Sequence, residues 1–128
     1  MRYLSPEWID AAADALAGDA GLKQATVDLR LTLEQVVTGG PLGTVRWHVV
    51  LDHGLVQMST GSAPAADLRF TTSYATAAQI ASGAVGAQRA FAEGRLRVGG
   101  DLSLLVSHQR TLASLDDALA TVRADTEF

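Results

Sequence analysis

Residues 27–34 alternate without a break: Val27, Leu29, Leu31 and Leu33 are apolar, while Asp28, Arg30, Thr32 and Glu34 are polar. Successive side chains of a strand point to opposite faces, so the run predicts a strand over residues 25–37 with one buried and one wetter face. Such a strand obliges the rest of the chain to provide strands that pair with it and a layer that covers its apolar side.

The remaining sequence supplies both. Residues 44–51 put Val45, Trp47, Val49 and Leu51 on one face, and Arg46, His48 and Val50 on the other. Asp52-His53-Gly54 reads as a tight hairpin into a third strand over 55–60, with Gly54 free to take positive φ. Residues 67–71 form a short fourth strand with Leu68 and Phe70 on one face. A fifth strand, 95–98, turns Leu96 and Val98 inward before Gly99-Gly100 reverses the chain.

Helical signals frame these strands. Ser5-Pro6-Glu7 starts a helix, with Ser5 as its cap, and Trp8, Ile9, Ala12, Ala15 and Leu16 recur at helical spacing until a stop at residues 18–21. Residues 74–82 and 85–93 read as short helices closed by Gly83 and Gly94. Asp101 is expected to cap a helix reaching about Gln109. A last amphipathic helix carries Leu112, Leu115, Leu119 and Val122 on one face, followed by a frayed tail over 124–128. The expected fold is α+β: a five-stranded, mainly antiparallel sheet with helices packed on one face, in a single domain over residues 1–128.

Charge and composition exclude several functions. The net charge is −4 and Lys23 is the sole lysine, which argues against nucleic acid and against a polybasic membrane anchor. There is no cysteine, hence no thiolate metal site, disulfide or cysteine nucleophile. Residues 1–10 carry no apolar run of signal-peptide length, and no stretch approaches the ~20 apolar residues of a spanning helix. A cytoplasmic protein without stable membrane insertion is the expectation. His48, His53 and His108 lack metal-ligand spacing. Residues 39–43 lack the Lys-Ser/Thr pair of a phosphate loop and precede a strand. No G-x-S-x-G elbow occurs, and the neighbours Asp116 and Asp117 do not face each other on a helix. No catalytic residue, metal or cofactor is expected.

Three segments carry a resemblance to a known family: the strand-turn-strand Trp47 to Val56; Ala66-Asp67-Leu68-Arg69-Phe70-Thr71-Thr72-Ser73, a strand leading into a helix; and Ala90 to Asp101, a strand feeding the last helices. In order and spacing they resemble the sterol-carrier-protein-2 (SCP2) family from about Pro6 to Leu115, with Arg95 where the family usually has lysine. The resemblance implies an apolar cavity between sheet and helices that takes a sterol, fatty acid or acyl-CoA without catalysis. The side chains it implies as ligand contacts are Trp8, Leu29, Leu31, Trp47, Val49, Met58, Phe70, Ile80, Phe91, Leu102, Leu105 and Val106. Each of these can equally fill a solid core. His48 is a candidate for a ligand head group, and Arg95 and Arg97 for a carboxylate or a CoA phosphate.

Two other readings stand beside the lipid carrier. One is a protein-interaction or regulatory module with a filled cavity, in which Trp8 and the last helix meet a protein partner or a second copy in a homodimer. The other is a small enzyme whose ionisable group in the cavity would be His48, Glu34 or Asp28.

Overall fold

The computed structural model describes residues 1–128. Helix α1 (Pro6–Gly18) opens as its sequence predicts: Ser5 Oγ accepts the Trp8 N–H at 3.2 Å, and Pro6 occupies the first turn. Its inward stripe of Trp8, Ile9, Ala12 and Leu16 is buried. The chain then continues as helix α2 (Ala20–Ala25), capped by Asp19, which accepts the Leu22 N–H at 2.8 Å.

That helix corrects the expected start of the first strand. Strand β1 spans Arg30–Gly40, and Val27 is half exposed in the preceding turn. Leu22 and Thr26 are fully buried, and the Thr26 hydroxyl donates to the Leu22 carbonyl at 2.9 Å. Burial of these two outweighs the local alternation at Val27.

Strands β2 (Gly43–Asp52), β3 (Leu55–Thr60), β4 (Leu68–Ser73) and β5 (Leu96–Gly100) complete one sheet, in the order β3-β2-β1-β4-β5. The hairpin between β2 and β3 turns at His53 and Gly54, both with positive φ. Three of the four strand pairs are antiparallel, but β1 and β4 run parallel. The sheet is therefore mostly antiparallel, and the parallel pair shows that the first four strands do not simply follow one another in space.

The crossover from β3 to β4 is anchored on the outer face. Glu34, 1% exposed, accepts the Ala63 N–H at 2.7 Å and the Arg69 Nε–H. Asp67 bonds Thr32 through both its backbone and its carboxylate, each at 2.8 Å. Burial works to raise the Glu34 carboxyl. The hydrogen bonds from Arg69 and Ala63, with the charges of Arg69 and Arg46, outweigh it and hold the group below the usual carboxylate range.

Helices α3 (Tyr74–Ala81), α4 (Ala87–Ala92), α5 (Ser103–Ser107) and α6 (Gln109–Ala120) complete the cover. Helix α1 lies on β3, α6 packs on α1 and α2, α3 packs on β1 and β4, and α4 on β5. Gly99 and Gly100 end β5 and do not form a turn. At Gly100 φ is 99°, and a Cβ would lie 2.2 Å from the Asp67 carbonyl oxygen, so only glycine lets β5 close on β4 there. The N-cap position of α5 is Leu102, not Asp101; Asp101 stands one residue earlier and accepts the Ser103 N–H at 3.0 Å, and the expected helix to residue 109 breaks at His108 into α5 and α6.

The C-terminal segment is tied down, contrary to the expected fraying. Glu127 N–H donates to the Met1 carbonyl at 2.7 Å, and Tyr3 N–H to the Glu127 carbonyl at 3.0 Å. Trp8 Nε1–H donates to Thr126 Oγ1 at 3.1 Å, and the Phe128 ring lies 5.3 Å from that of Tyr3. Burial and the neighbouring Tyr74 push the Tyr3 phenol well above its usual value. The two ends thus close one aromatic cluster that the local sequence gives no sign of.

Candidate functional site

Strand register aligns the inner face of the sheet into rows that cross all five strands. One row runs Gly100, Leu68, Leu33, Val49, Met58, and its neighbour runs Val98, Phe70, Gln35, Trp47, Thr60. In the first, Leu68, Leu33 and Val49 are sealed and Met58 is 8% exposed. In the second, Val98, Phe70 and Gln35 are half-buried and Thr60 is exposed, leaving Trp47 as the one buried member. The helical layer closes over one row and leaves the next partly uncovered.

More apolar surface flanks β5, the open end of that row. Phe91 on α4 is 40% exposed, and Leu102 and Val106 around α5 are 49% and 71% exposed. Leu96 is half-buried on β5 itself. Helix α5 has no buried residue, though Leu104 and Leu105 touch the core. Two concavities lie away from this row. A cleft between Tyr3, Leu4, Pro41, Val45 and Tyr74 is too tight for a water molecule. A wide groove of about 340 Å³ lies between α1 and β3, with Asp14, Gln57 and Ser59 in its wall.

The inner face holds one anomaly. Trp47 Nε1 is the one buried side-chain nitrogen or oxygen without a hydrogen-bond partner. Buried polar groups are paired as a rule, so an orphan indole N–H marks a place where the fold leaves a donor unused. Trp47 pairs across the strands with Gln35 on one side and Thr60 on the other.

The twelve side chains expected from the sequence fall into two groups. Trp8, Leu31, Trp47, Val49 and Met58 are buried in the main core. Phe70, Ile80, Leu105 and Leu29 are half-buried, and Phe91, Leu102 and Val106 are exposed. Leu29, just ahead of β1, packs against the core from outside the sheet. Sequence reasoning missed Gln35. Its signal was present: the alternation that puts Leu31 and Leu33 inward puts Gln35 inward as well, a polar residue in an apolar stripe.

The polar candidates stand apart from the inner face of the sheet. His48 pairs with Glu34 and Ser59 on the outer face, and its Nδ1 lies 2.9 Å from the Gly61 carbonyl oxygen. Arg97 pairs with Thr71 on that same face. Arg95 precedes β5 and donates to Gln79 Oε1 at 2.8 Å and Glu93 Oε1 at 2.6 Å. Glu34 is committed to its outer-face pair and Asp28 is exposed in a turn. A one-residue offset in a strand reverses the face, so His48 cannot share the inner space with Trp47. Trp8, offered in the partner-module reading as a contact, is 4% exposed and bonded to Thr126.

No helix is long and apolar enough to cross a membrane. No three histidine or carboxylate side chains come close enough together to hold a metal ion.

A sequence model described as the SCP-2 sterol transfer family matches residues 10–113. Among solved structures, sterol carrier protein 2 superposes with a TM-score of 0.76 at 19% identity, over 93% of this chain and 98% of the other. A conserved hypothetical protein from Thermus thermophilus gives 0.75 at 20% identity, over 95% and 90%. The sterol carrier protein domain 2 of Helicoverpa armigera gives 0.65 at 20% identity, over 90% and 87%. At these identities the structures speak for the fold. No curated protein matches the chain in sequence.

Proposed function

The chain belongs to the SCP-2 sterol transfer family, and from that premise we propose that it binds and carries a lipid-like molecule without catalysing a reaction on it. The observation that supports this reading is the half-buried inner row of Val98, Phe70 and Gln35, together with the exposed Phe91, Leu102 and Val106 on the elements that precede and follow β5. A guest laid along this row, under or in place of α5, would bury these side chains together with its own apolar surface. That burial contributes about 25 cal/mol per Å², less the cost of ordering the guest. Phe70, Leu105, Phe91, Leu102 and Val106 are the contacts we assign to it, with Trp47 at the inner end. The buried Leu31, Val49 and Met58 lie beside this row on the same face of the sheet.

The non-catalytic part of the reading rests on the same geometry. His48, Glu34 and Asp28, the ionisable groups suggested for an enzyme, lie on the outer face or in an exposed turn. A second reading, a protein-interaction module, draws on the 71% exposure of Val106. It predicts a mass that rises with concentration in light scattering.

Native mass spectrometry of protein purified in mild buffer tests the carrier reading. The expected result is a co-purifying apolar compound that a fluorescent fatty-acid ester displaces. Bare protein mass together with no uptake of the fluorescent probe would sink it.

A further inference from the structure

The inner face of the sheet carries no charged side chain at any paired position: Arg46, Arg69, Arg97, Glu34 and His48 all stand on the outer face. The inner face does carry polar groups in its uncovered row. Trp47 Nε1–H is buried and unbonded, and its cross-strand neighbour Gln35 presents a half-buried amide. Trp8 shows how this protein treats a buried indole when no such role exists, since its N–H reaches Thr126 Oγ1.

The two facts constrain a guest from opposite directions. A pure hydrocarbon would leave the indole donor unsatisfied, as it is now. A carboxylate or phosphate driven to the same depth would lose its hydration and meet no cation from the sheet. A neutral oxygen satisfies both conditions, because it accepts the indole hydrogen bond, which offsets its desolvation, and it costs far less to bury than a charge.

We infer that the guest is a neutral, mainly apolar molecule with an oxygen acceptor, such as an ester, ketone or alcohol. It binds with that oxygen on the Trp47 indole N–H, beside the Gln35 amide. Its apolar part runs along Phe70 and Val98 toward β5. This inference rests on the carrier reading and narrows it: a fatty-acid anion or an acyl-CoA does not seat its charged end on this face of the sheet. Gln35 serves as a second polar contact, able to donate or accept.

The test compares methyl palmitate, hexadecane and the palmitate anion on the full chain at mildly alkaline pH. Binding affinities and the two indole N–H resonances are followed by NMR, Trp47 being the one lost in Trp47→Phe. The expected result is that methyl palmitate shifts the Trp47 resonance downfield and leaves that of Trp8 in place. It also binds about tenfold more tightly than hexadecane. Trp47→Phe removes that preference while hexadecane still binds, and Gln35→Leu, which leaves Trp47 intact, reduces it. Equal binding of ester and alkane overturns the inference, as does palmitate binding as tightly as its ester, or an unmoved Trp47 resonance in the ester complex. In those cases the carrier reading stands. If none of the three probes binds, both readings fall together.

Discussion

Leu33 and Gln35 sit two residues apart on the central strand and face the same way, yet their surroundings differ. Leu33 lies in a row whose members from β4 to β3 are buried, and it is 1% exposed. Gln35 lies in a row that solvent reaches, with half-buried Phe70 on one side and the unbonded Trp47 nitrogen on the other. The first row is packed by side chains from the helical layer, and the second ends on β5, which α4 packs against; α4 and α5 are short helices of six and five residues. Short helices are weakly held by their own hydrogen bonds and depend on packing, which α5 has little of. The comparison teaches that one continuous sheet can hold a sealed row and a partly exposed row, separated by a single step of register.

Truncation in the sealed row should have the largest effect. Leu33→Ala is expected to destabilise the protein by about 3 kcal/mol in urea unfolding, through lost burial and a residual cavity. Val98→Ala in the open row should cost less than about 1 kcal/mol. Equal losses at the two positions would erase the distinction between the rows.

The next effect lies on the outer face and tests what holds the sheet beneath both rows. Glu34→Gln should cost about 2 kcal/mol near neutral pH, since it removes a charge-assisted bond at a buried acceptor whose partner Arg69 is 52% exposed. The Glu34 carboxyl titrates below its ordinary value of 4.5 in the folded state. Its contribution is therefore complete above about that pH and is lost as pH falls through the folded value. The gap between wild type and variant should narrow below pH 4.5. A gap that stays constant into acid would show that the ion pair contributes nothing specific.

The smallest stability effect belongs to the exposed rim. Val106→Ser should change the unfolding free energy by no more than about 0.5 kcal/mol, because Val106 is 71% exposed. The same change should weaken uptake of an ester probe measured by fluorescence. A large loss of stability would mean that α5 belongs with the sealed row.

Most of the fold was legible because it is written in short-range patterns. Alternation located β1, β2 and β3, and the Ser5 cap and the His53-Gly54 hairpin followed from local chemistry. Helix α2 was missed because its signal is one cap and one apolar residue, Asp19 and Leu22, beside two glycines, Gly18 and Gly21, that read as a stop. Of the candidate site, the apolar candidates could not be sorted into buried and half-buried, since Leu31 and Phe70 look alike in sequence. His48 was read on the face opposite Trp47, and the strand register puts it there, paired with Glu34 and Ser59.

By itself the amino-acid sequence determined the α+β class and the strand faces, because each depends on neighbours within a few residues. The tertiary structure alone decided the parallel pairing of β1 with β4, the burial of Glu34, the anchoring of the C-terminal residues and the open row beside Trp47. These depend on which distant segments arrive to cover a surface. Coverage is a property of packing between elements, and no local period encodes it.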